Sequence, residues 1–521
     1  MQEQKVVYIS TWGDPAGWQN AKYEKKDGTV SPDGYTSLAT YDKFDKLILI
    51  VQDSILALQF SSWIKDRNEY RNKDVDACIK QLNSEGQLIN RILSSLNSGS
   101  YGDYLKAVND YVSCLIQKIK ENIEKEKKEE KNTKNDKKED DSVIILPGIG
   151  KFSGNLMGTK VTCDCGRLNG GGEKYIPLSY IESLLAYNIY KKIENLKEDY
   201  TVILDITHGI NYLSSLTLEV VKELTSLLNL NMKVIDYIPT YTPTDTNQGS
   251  RIFTYNEFTP LSNTKFDVNK IRVNSIDKNH VKALILSLQM GAILPILYVC
   301  KKYNGGETSY DEIFKKKTQI QKDDKSQNNN SDINFSIVVD SIKELKSSDI
   351  VWSDIILDYV CEKIQNIKDQ NNFYSLDDIE GLLKSLSNFF SETTINVIET
   401  EIEKIKKSNY IKDKEEKTLY EVRTGNKPKS NMCKSDSEEK KKGKNHSNRR
   451  NFTAHAGFLD EIVKVKKENG KFFVKYCLEE GDKCYDVLKD VYGPDVGQLL
   501  VDLINGGQAQ SQGINNSHRP K

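Results

Sequence analysis

The first half of the chain alternates short apolar segments with long amphipathic ones, and this alternation restricts the possible folds more than any other feature. Apolar, β-branched runs predict strands at Val6–Ser10, Lys46–Val51, Ser142–Pro147, Thr201–Ile206 and Lys233–Ile238, with an edge strand at Arg251–Tyr255. Helical spacing predicts helices at Ile55–Asn97, Tyr101–Lys127, Leu178–Leu196 and Asn211–Leu230. Such alternation is typical of α/β domains, so we predict an N-terminal parallel doubly wound sheet.

The second half is predicted to be mainly α-helical. Its helical patterns lie at Val281–Lys302, Ile337–Leu345, Ile350–Asp369, Ser375–Phe390, Ser391–Lys407 and Cys484–Ile504. Ala283–Cys300 is almost wholly apolar, but its 18 residues are at the short limit for a membrane span. We therefore interpret it as a buried core helix and expect no membrane association.

These patterns divide the chain into two predicted domains. The first covers residues 1–245 and carries a charged insertion at about 121–141, which we predict to be a solvated helix end followed by a disordered loop. Residues 246–280 are a linker, and residues 281–521 form the helical region. Polar segments at 322–332 and 425–448 are predicted to be flexible, and a small linker subdomain remains an alternative.

Net charge and cysteine content limit which partners and metal sites the sequence predicts. The net charge of −1 gives no global basic field, so any contact with nucleic acid must come from a local patch. Nine scattered cysteines and the absence of an N-terminal signal favour a cytoplasmic protein with reduced thiols. Cys163 and Cys165 have no second pair at zinc spacing, so no metal site is predicted.

Small or polar residues follow four of the predicted strands, at Ser10–Pro15, Gln52–Ser54, Gly148–Gly154 and Thr207–Gly209. The carboxyl ends of parallel strands meet at one sheet edge, where ligands bind close to helix amides. The candidate ligand-binding residues are Thr11, Trp12, Gly13, Gly148, Gly150, Lys151, Thr207, His208, Gly209 and Asn211. A carboxylate buried at a strand end needs partners, so we expect Asp205 to hydrogen-bond Gly209 and nearby helix amides and to orient the loop.

A second set of functional side chains lies near the end of the chain, in Arg450-Asn451-Phe452-Thr453-Ala454-His455. On a helix, Arg450, Asn451 and His455 can line one side of a pocket. Arginine holds phosphate, asparagine orients a group, and histidine exchanges protons near neutral pH. No metal ligands surround the set, so we predict metal-free cleavage of RNA through its own 2′-OH. A solvated helix end is the alternative for this segment alone.

Three segments carry a resemblance to a known family. Asp205-Ile-Thr207-His208-Gly209 with Asn211 resembles the signature of the CRISPR-associated DxTHG-motif proteins. Ser10-Thr-Trp-Gly-Asp-Pro15 is similar to the N-terminal motif of that family, and Arg450-Asn451-x-x-x-His455 resembles the RNxxxH motif of a HEPN ribonuclease domain. The resemblance implies a Rossmann-like CARF sensor followed by a HEPN ribonuclease. It implies a homodimer or higher homo-oligomer, without a cofactor, acting in type III CRISPR defence.

The same resemblance implies an activator and a substrate. The activator would be a cyclic oligoadenylate, most often the cyclic tetra-adenylate, made by a type III CRISPR complex, and the substrate would be single-stranded RNA. Two other functions remain open from the residues. One is a nucleotide-sensing transcription regulator without nuclease activity; the other is a nucleotide-binding oxidoreductase, although no GxGxxG follows the first strand.

Overall fold

The computed structural model forms two compact units, which are described separately. The first comprises Met1–Asn263 and Thr308–Ser348, and the second Thr264–Glu307 and Asp349–Lys521. The structure describes residues 5–15, 18, 21–24, 26–30, 36–40, 44–58, 72–84, 88–130, 140–156, 159–169, 174–196, 199–209, 211–240, 251–260, 266–303, 309–322, 333–340, 348–427, 450–460, 462–477 and 485–505.

The first unit contains eleven described strands and seven described helices. The strands are β1 (Lys5–Thr11), β2 (Ala21–Tyr23), β3 (Lys46–Gln52), β4 (Asp140–Leu146), β5 (Gly150–Leu156), β6 (Thr159–Leu168), β7 (Tyr200–Asp205), β8 (Asn231–Thr240), β9 (Arg251–Phe258), β10 (Thr318–Lys322) and β11 (Ile333–Val339). The helices are α1 (Ile55–Leu58), α2 (Lys73–Ser84), α3 (Leu88–Ser98), α4 (Tyr101–Glu130), α5 (Leu178–Ile193), α6 (Asn211–Leu228) and α9 (Tyr310–Lys317).

A seven-stranded sheet in the order β2-β9-β8-β7-β1-β3-β4 forms the centre of this unit. The pairs from β8 through β7, β1 and β3 to β4 are all parallel, whereas β8 and β9 are antiparallel. Strand β1 is buried because it lies between β7 and β3, which explains its continuous apolar run. The predicted parallel sheet is confirmed as a mostly parallel mixed sheet, and its six predicted strands are present. The strand predicted at an edge, β9, is not at the edge, because β2 pairs with its outer side.

A second sheet in the first unit was not predicted. Its order is β10-β11-β6-β5, and β11 pairs with both β10 and β6. The helix predicted at Ile337–Leu345 is therefore wrong for its first residues, which belong to β11. These strand pairs also place Thr308–Ser348 in the first unit, although we had predicted this segment as part of the helical region. The remaining domain boundaries stay a prediction.

The second unit combines helices with a small sheet. Its helices are α7 (Asn279–Met290), α8 (Ile293–Lys301), α10 (Ser348–Ile364), α11 (Leu376–Ser385), α12 (Glu392–Lys406), α13 (Leu419–Thr424), α14 (residues 450–454), α15 (Tyr485–Tyr492) and α16 (Pro494–Ile504). Strands β12 (Tyr374–Ser375), β13 (Glu416–Thr418), β14 (Val463–Glu468) and β15 (Lys471–Tyr476) form a sheet in the order β12-β15-β14-β13. The mainly helical prediction thus omitted this sheet.

The apolar segment Ala283–Cys300 is buried, as predicted, but it is two helices. Gly291 ends α7 with a φ of +70°, a left-handed conformation that glycine adopts without a steric cost. Among the described residues, no helix has both the length and the apolar character that a membrane span requires.

The helical start of the first charged insertion agrees with the sequence prediction, whereas the pairing of the cysteines differs from it. Helix α4 continues to Glu130, so the start of the insertion at 121–141 is helical, whereas 131–139 lie outside the described residues. Residues 323–332 and 428–449 also lie outside them. Six cysteines are paired, as Cys78–Cys114, Cys163–Cys165 and Cys300–Cys361. Their Cα atoms are 4.9–5.8 Å apart, within disulfide range, so the expectation of reduced thiols does not hold for them.

Candidate functional site

The topology brings the four predicted strand ends to one edge of the main sheet. Strands β7, β1, β3 and β4 are adjacent and parallel, so their carboxyl ends lie side by side. After the short outer strand β2, the chain adds β3 and β4 on one side of β1 and later adds β7 and β8 on its other side. The strand order therefore reverses between β1 and its neighbours β3 and β7. Ligands of open α/β sheets bind at such a point. The structure therefore supports a ligand site at this edge of the first unit.

Hydrogen bonds between backbone groups join these strand ends. The amide of Trp12 donates to the carbonyl of Ile50 at 2.9 Å, and that of Gly13 donates to the carbonyl of His208 at 2.8 Å. The amide of Asp53 donates to the carbonyl of Leu146 at 2.8 Å. The loops after β1, β3 and β7 are therefore held next to one another rather than extending separately.

Asp205 is fully buried at the end of β7 and accepts four hydrogen bonds. The hydroxyls of Tyr8 and Ser37 donate to Oδ2, and the amide and hydroxyl of Thr207 donate to Oδ1 at 2.9 and 2.6 Å. The hydroxyl of Thr207 also accepts the Tyr237 amide of β8 at 3.1 Å. Asp205 therefore orients the loop, but through Thr207 rather than through Gly209 and the helix amides that we had expected.

The imidazole of His208 is uncharged at neutral pH. Its Nε2 accepts the amide of Ser37 at 3.3 Å and lies 3.2 Å from the hydroxyl of Tyr23. Burial lowers the pKa of His208 to about 4, although the charge of Asp205 acts in the opposite direction. The rings of Trp18 and Phe253 lie 4.8 and 6.5 Å from the imidazole, measured between ring centroids. At neutral pH His208 therefore offers hydrogen bonds and an aromatic surface, but no charge for a phosphate.

The glycines at this edge permit close packing between loops. A side chain on Gly209 would collide with the hydroxyls of Ser214 and Thr11, which lie 3.2 Å from each other. A side chain on Gly148 would lie 2.7 Å from the Ser54 hydroxyl, and the Gly148 amide donates to the buried carboxylate of Asp53 at 2.7 Å. Both glycines are therefore required by packing, whatever ligand binds.

Three buried polar atoms at the ends of β1 and β3 have no hydrogen-bond partner within the described part of the chain. They are Trp12 Nε1, Gln52 Oε1 and Ser54 Oγ. Burying a polar group without a partner is costly, so such groups usually meet water or a ligand. Their clustering beside the point where the strand order reverses supports a polar ligand there.

The structure gives less support to a ligand-binding role for the three other predicted residues of this site. Gly150 has a φ of +117° and begins β5, where it pairs with Cys165. Lys151 is exposed on β5 opposite Asp164, so it belongs to the second sheet. Asn211 begins α6, but its side chain lies outside the described part of the structure.

The Arg450–His455 segment lies in the second unit as a single helical turn. Residues 450–454 are helical, and the amide of His455 donates to the carbonyl of Asn451 at 3.1 Å. Arg450 and Asn451 are exposed, His455 is partly exposed, and Phe452 between them is buried against Tyr492 at 5.8 Å between ring centroids. The buried Phe452 thus holds the turn in place, while Arg450, Asn451 and part of His455 are exposed to solvent.

A buried carboxylate stands beside His455. Glu401 of α12 has an Oε1 atom 3.3 Å from Nδ1 of His455, and its Oε2 atom is paired with the guanidinium of Arg423. Arg423 also pairs with Asp460, which lies shortly after the motif. The described residues bring no group of three or more His, Cys, Asp or Glu side chains into a metal-binding arrangement.

Sequence reasoning missed several of these residues. The polar strand end Gln52-Asp53-Ser54 was recognised, but its residues were not placed in the site. Tyr8, Ser37 and Glu401 approach their partners across 197, 168 and 54 residues, so no local pattern could have identified them.

Family models match parts of both units, and a known protein is similar to part of the chain. A family model described as the CARF domain of the CRISPR system endoribonuclease Csx1 matches residues 7–258, and one described as its HEPN domain matches residues 391–480. The CRISPR system endoribonuclease Csx1 of Methanocaldococcus jannaschii is 26% identical over 235 residues. That match covers 44% of this chain but only 35% of the relative. The sheet-edge residues lie within the first model and Arg450, His455 and Glu401 within the second.

Proposed function

Since the chain belongs to the family of the CRISPR system endoribonuclease Csx1, with its CARF and HEPN domains, we propose that it is a metal-independent endoribonuclease activated by cyclic oligoadenylate. Its substrate is single-stranded RNA, and its setting is type III CRISPR antiviral defence. The observation that carries this proposal is the exposed turn on which Arg450, Asn451 and His455 lie together, within the part of the chain that the HEPN model matches.

The chemistry assigns a separate role to each side chain. His455 exchanges a proton with the 2′-OH or with the leaving 5′-oxygen, because imidazole can both accept and donate near neutral pH. Arg450 stabilises the negative charge that develops on the phosphorane, and Asn451 orients one of the reacting groups. The products then carry a 2′,3′-cyclic phosphate or 3′-phosphate and a 5′-OH.

The active unit in this proposal is at least a homodimer. One motif supplies one arginine and one histidine, whereas cleavage uses an acid, a base and charge stabilisation. Two chains related by a two-fold axis supply both sets. The same axis suits a symmetric cyclic nucleotide held by equivalent strand ends of two subunits.

The activator is a cyclic oligoadenylate, in the first instance the cyclic tetra-adenylate that a type III CRISPR complex makes. Thr11, Trp12, Gly13, Gly148, Thr207, His208, Gly209 and Asn211 form its site in this proposal. Trp12 Nε1 and Gln52 Oε1 support a polar ligand, since both are buried and have no hydrogen-bond partner in the described residues. Gly150 and Lys151 have less support, because they begin the strand of another sheet.

The proposed chemistry is tested with labelled single-stranded RNA in the presence of cyclic tetra-adenylate. Cleavage should persist in EDTA, and the products should carry a 5′-OH. H455A should lower the rate by ~10²–10⁴, as expected for loss of a general acid or base. T453S, at an exposed position of the same turn, is the matched control and should cut like the wild type. Activity that EDTA abolishes and Mg²⁺ restores contradicts the mechanism; no cleavage at all favours the regulator without nuclease activity.

A further inference from the structure

We propose that Glu401 is the positioning residue for His455, holding its Nδ1 nitrogen so that Nε2 is left to exchange protons with the RNA. This inference rests on the proposed ribonuclease function and adds to it a residue outside the Arg450–His455 motif. The carboxylate comes from α12, a different helix from the one that carries the motif.

The geometry separates the two nitrogens of the imidazole ring. Nδ1 lies 3.3 Å from Oε1 of Glu401, whose side chain is only 4% exposed, whereas the His455 side chain is 42% exposed. Within the described residues, Nε2 has no hydrogen-bond partner. The ring is therefore held on its buried side and open on the other.

Glu401 is itself held by charged neighbours. Arg423 of α13 pairs with Glu401 and also with Asp460, and Lys404 donates to Oε1 of Glu401 at 3.0 Å. A buried carboxylate without such partners would be strongly destabilising, so these cations keep Glu401 in place beside His455. The network joins α12, α13 and the segment that follows the motif.

The contact has a defined chemical consequence. A carboxylate accepts hydrogen bonds but cannot donate them, so Glu401 favours the form of neutral His455 that carries its proton on Nδ1. Nε2 then has a free lone pair and can act as a base toward the 2′-OH. A glutamine at position 401 removes the charge and can present an amide N–H to Nδ1, which favours the opposite tautomer.

The first test measures the tautomer directly, in protein labelled with ¹⁵N at histidine. The chain has five histidines, so H455Q suffices to assign the His455 signals. In the neutral form of the ring, we expect the proton of wild-type His455 on Nδ1, and in E401Q on Nε2. A wild-type His455 with its proton on Nε2 overturns the proposal. This measurement needs no RNA cleavage, so it decides the role of Glu401 even if the proposed function fails.

The second test measures cleavage of single-stranded RNA by E401Q, with E399Q as the control because Glu399 is exposed on the same helix. We expect kcat of E401Q to fall roughly 10- to 100-fold, because a wrongly oriented histidine is a poor general base, with KM and activator affinity nearly unchanged. E399Q should match the wild type. Equal kcat for E401Q and E399Q contradicts the proposal. If E401Q does not fold, the tautomer of His455 in the wild-type protein still decides whether Glu401 positions this histidine.

Discussion

At the scale of single residues, two histidines of this chain have opposite environments. His208 is packed among aromatic rings, and burial lowers its pKa to about 4, so it is neutral at physiological pH. His455 lies partly exposed on a turn with a carboxylate behind it. The first suits recognition through hydrogen bonds and stacking, and the second suits proton transfer.

Because the two sites have different chemistry, we predict that substitutions at the sheet edge change activator binding and that substitutions at the ribonuclease motif change cleavage. H208A and N211A should raise the activator concentration needed for half-maximal RNA cleavage, while the fully activated rate stays close to that of the wild type. R450A should bind the activator normally and cut nothing. Calorimetry with cyclic tetra-adenylate, together with cleavage across an activator titration, measures both effects. If H208A and N211A titrate like the wild type, the activator binds elsewhere.

Asp53 predicts a dependence of stability on pH. It is fully buried at the end of β3, and burial raises its pKa from 3.8 to about 7, despite the bonds it accepts from Gly148 and Tyr101. A carboxyl group with a higher pKa in the folded state holds its proton more tightly when folded. Its stabilising contribution is therefore complete below about pH 4 and is lost as the pH rises to about 7.

The test compares wild type with D53N, which keeps the shape but does not titrate. Relative to D53N, the wild type should lose on the order of a few kcal/mol of unfolding free energy between pH 5 and pH 8. Urea denaturation at both pH values measures this change. Parallel pH profiles for the two proteins would show that Asp53 does not titrate in this range.

Residues that follow a local pattern could be predicted from the sequence, and those brought in from a distance could not. Thr207, His208 and Gly209 were placed correctly at a sheet edge because they end a recognisable strand. Tyr8 and Ser37, which hold Asp205, and Glu401, which contacts His455, belong to other elements. Their roles depend on tertiary packing, which the spacing of residues along the chain does not encode.

At the scale of elements, the turn after α14 fixes the position of His455. Ala456 and Gly457 both have positive φ, of +48° and +82°, and reverse the chain just after the histidine. The hydroxyl of Tyr476 from β15 donates to the carbonyl of Gly457 at 3.0 Å. A Cβ at Gly457 would lie 2.7 Å from that hydroxyl.

G457A should therefore be destabilised for two reasons, the left-handed backbone and the collision with Tyr476. We expect a loss of about 1–3 kcal/mol in unfolding free energy for the backbone strain, with the collision in addition. G470A is the matched control, since Gly470 has a φ of +77° but open space around it. Denaturation of both variants measures the difference. If G457A loses no more unfolding free energy than G470A, the collision with Tyr476 does not contribute to the destabilisation.

The elements that were missed have identifiable reasons. Strands β14 and β15 are joined by Asn469-Gly470, both with positive φ, a turn sequence that favours a hairpin. Lysines alternate with apolar residues at the start of β14, so this hairpin is predictable from the sequence, although the segments around it have helical spacing. Strand β11 is different: its apolar run Ile337-Val338-Val339 fits a helix or a buried strand equally well.

At the scale of the whole molecule, the order of the CARF and HEPN domains was predicted correctly, whereas their boundaries stay a prediction. The CARF and HEPN models match regions on either side of the segment 259–390. Within that segment, Thr308–Ser348 returns to the first unit through β10 and β11. A chain that leaves a unit and re-enters it is not visible in composition or periodicity, because both report only on neighbours along the sequence.

The proposed assembly predicts the size of the active species. If both the activator site and the ribonuclease site are completed by a second copy, light scattering at assay concentration should give at least twice the 59.3 kDa mass of one chain. R450A should form the same assembly, because Arg450 is exposed and only its chemistry is removed. An active species with the mass of a single chain would contradict the shared-site account.

The central claim is that a ligand at the sheet edge of the first unit controls cleavage by the second. A ligand can shift this equilibrium only if it binds the active arrangement more tightly, and a ~100-fold activation requires about 2.7 kcal/mol of differential binding. The most direct measurement is the rate of single-stranded RNA cleavage across a titration of cyclic tetra-adenylate. We predict a saturable rise of that order in the wild type and, in H455A, a rate ~10²–10⁴ lower at every activator concentration. RNA that is cut equally fast without any cyclic oligoadenylate would contradict it.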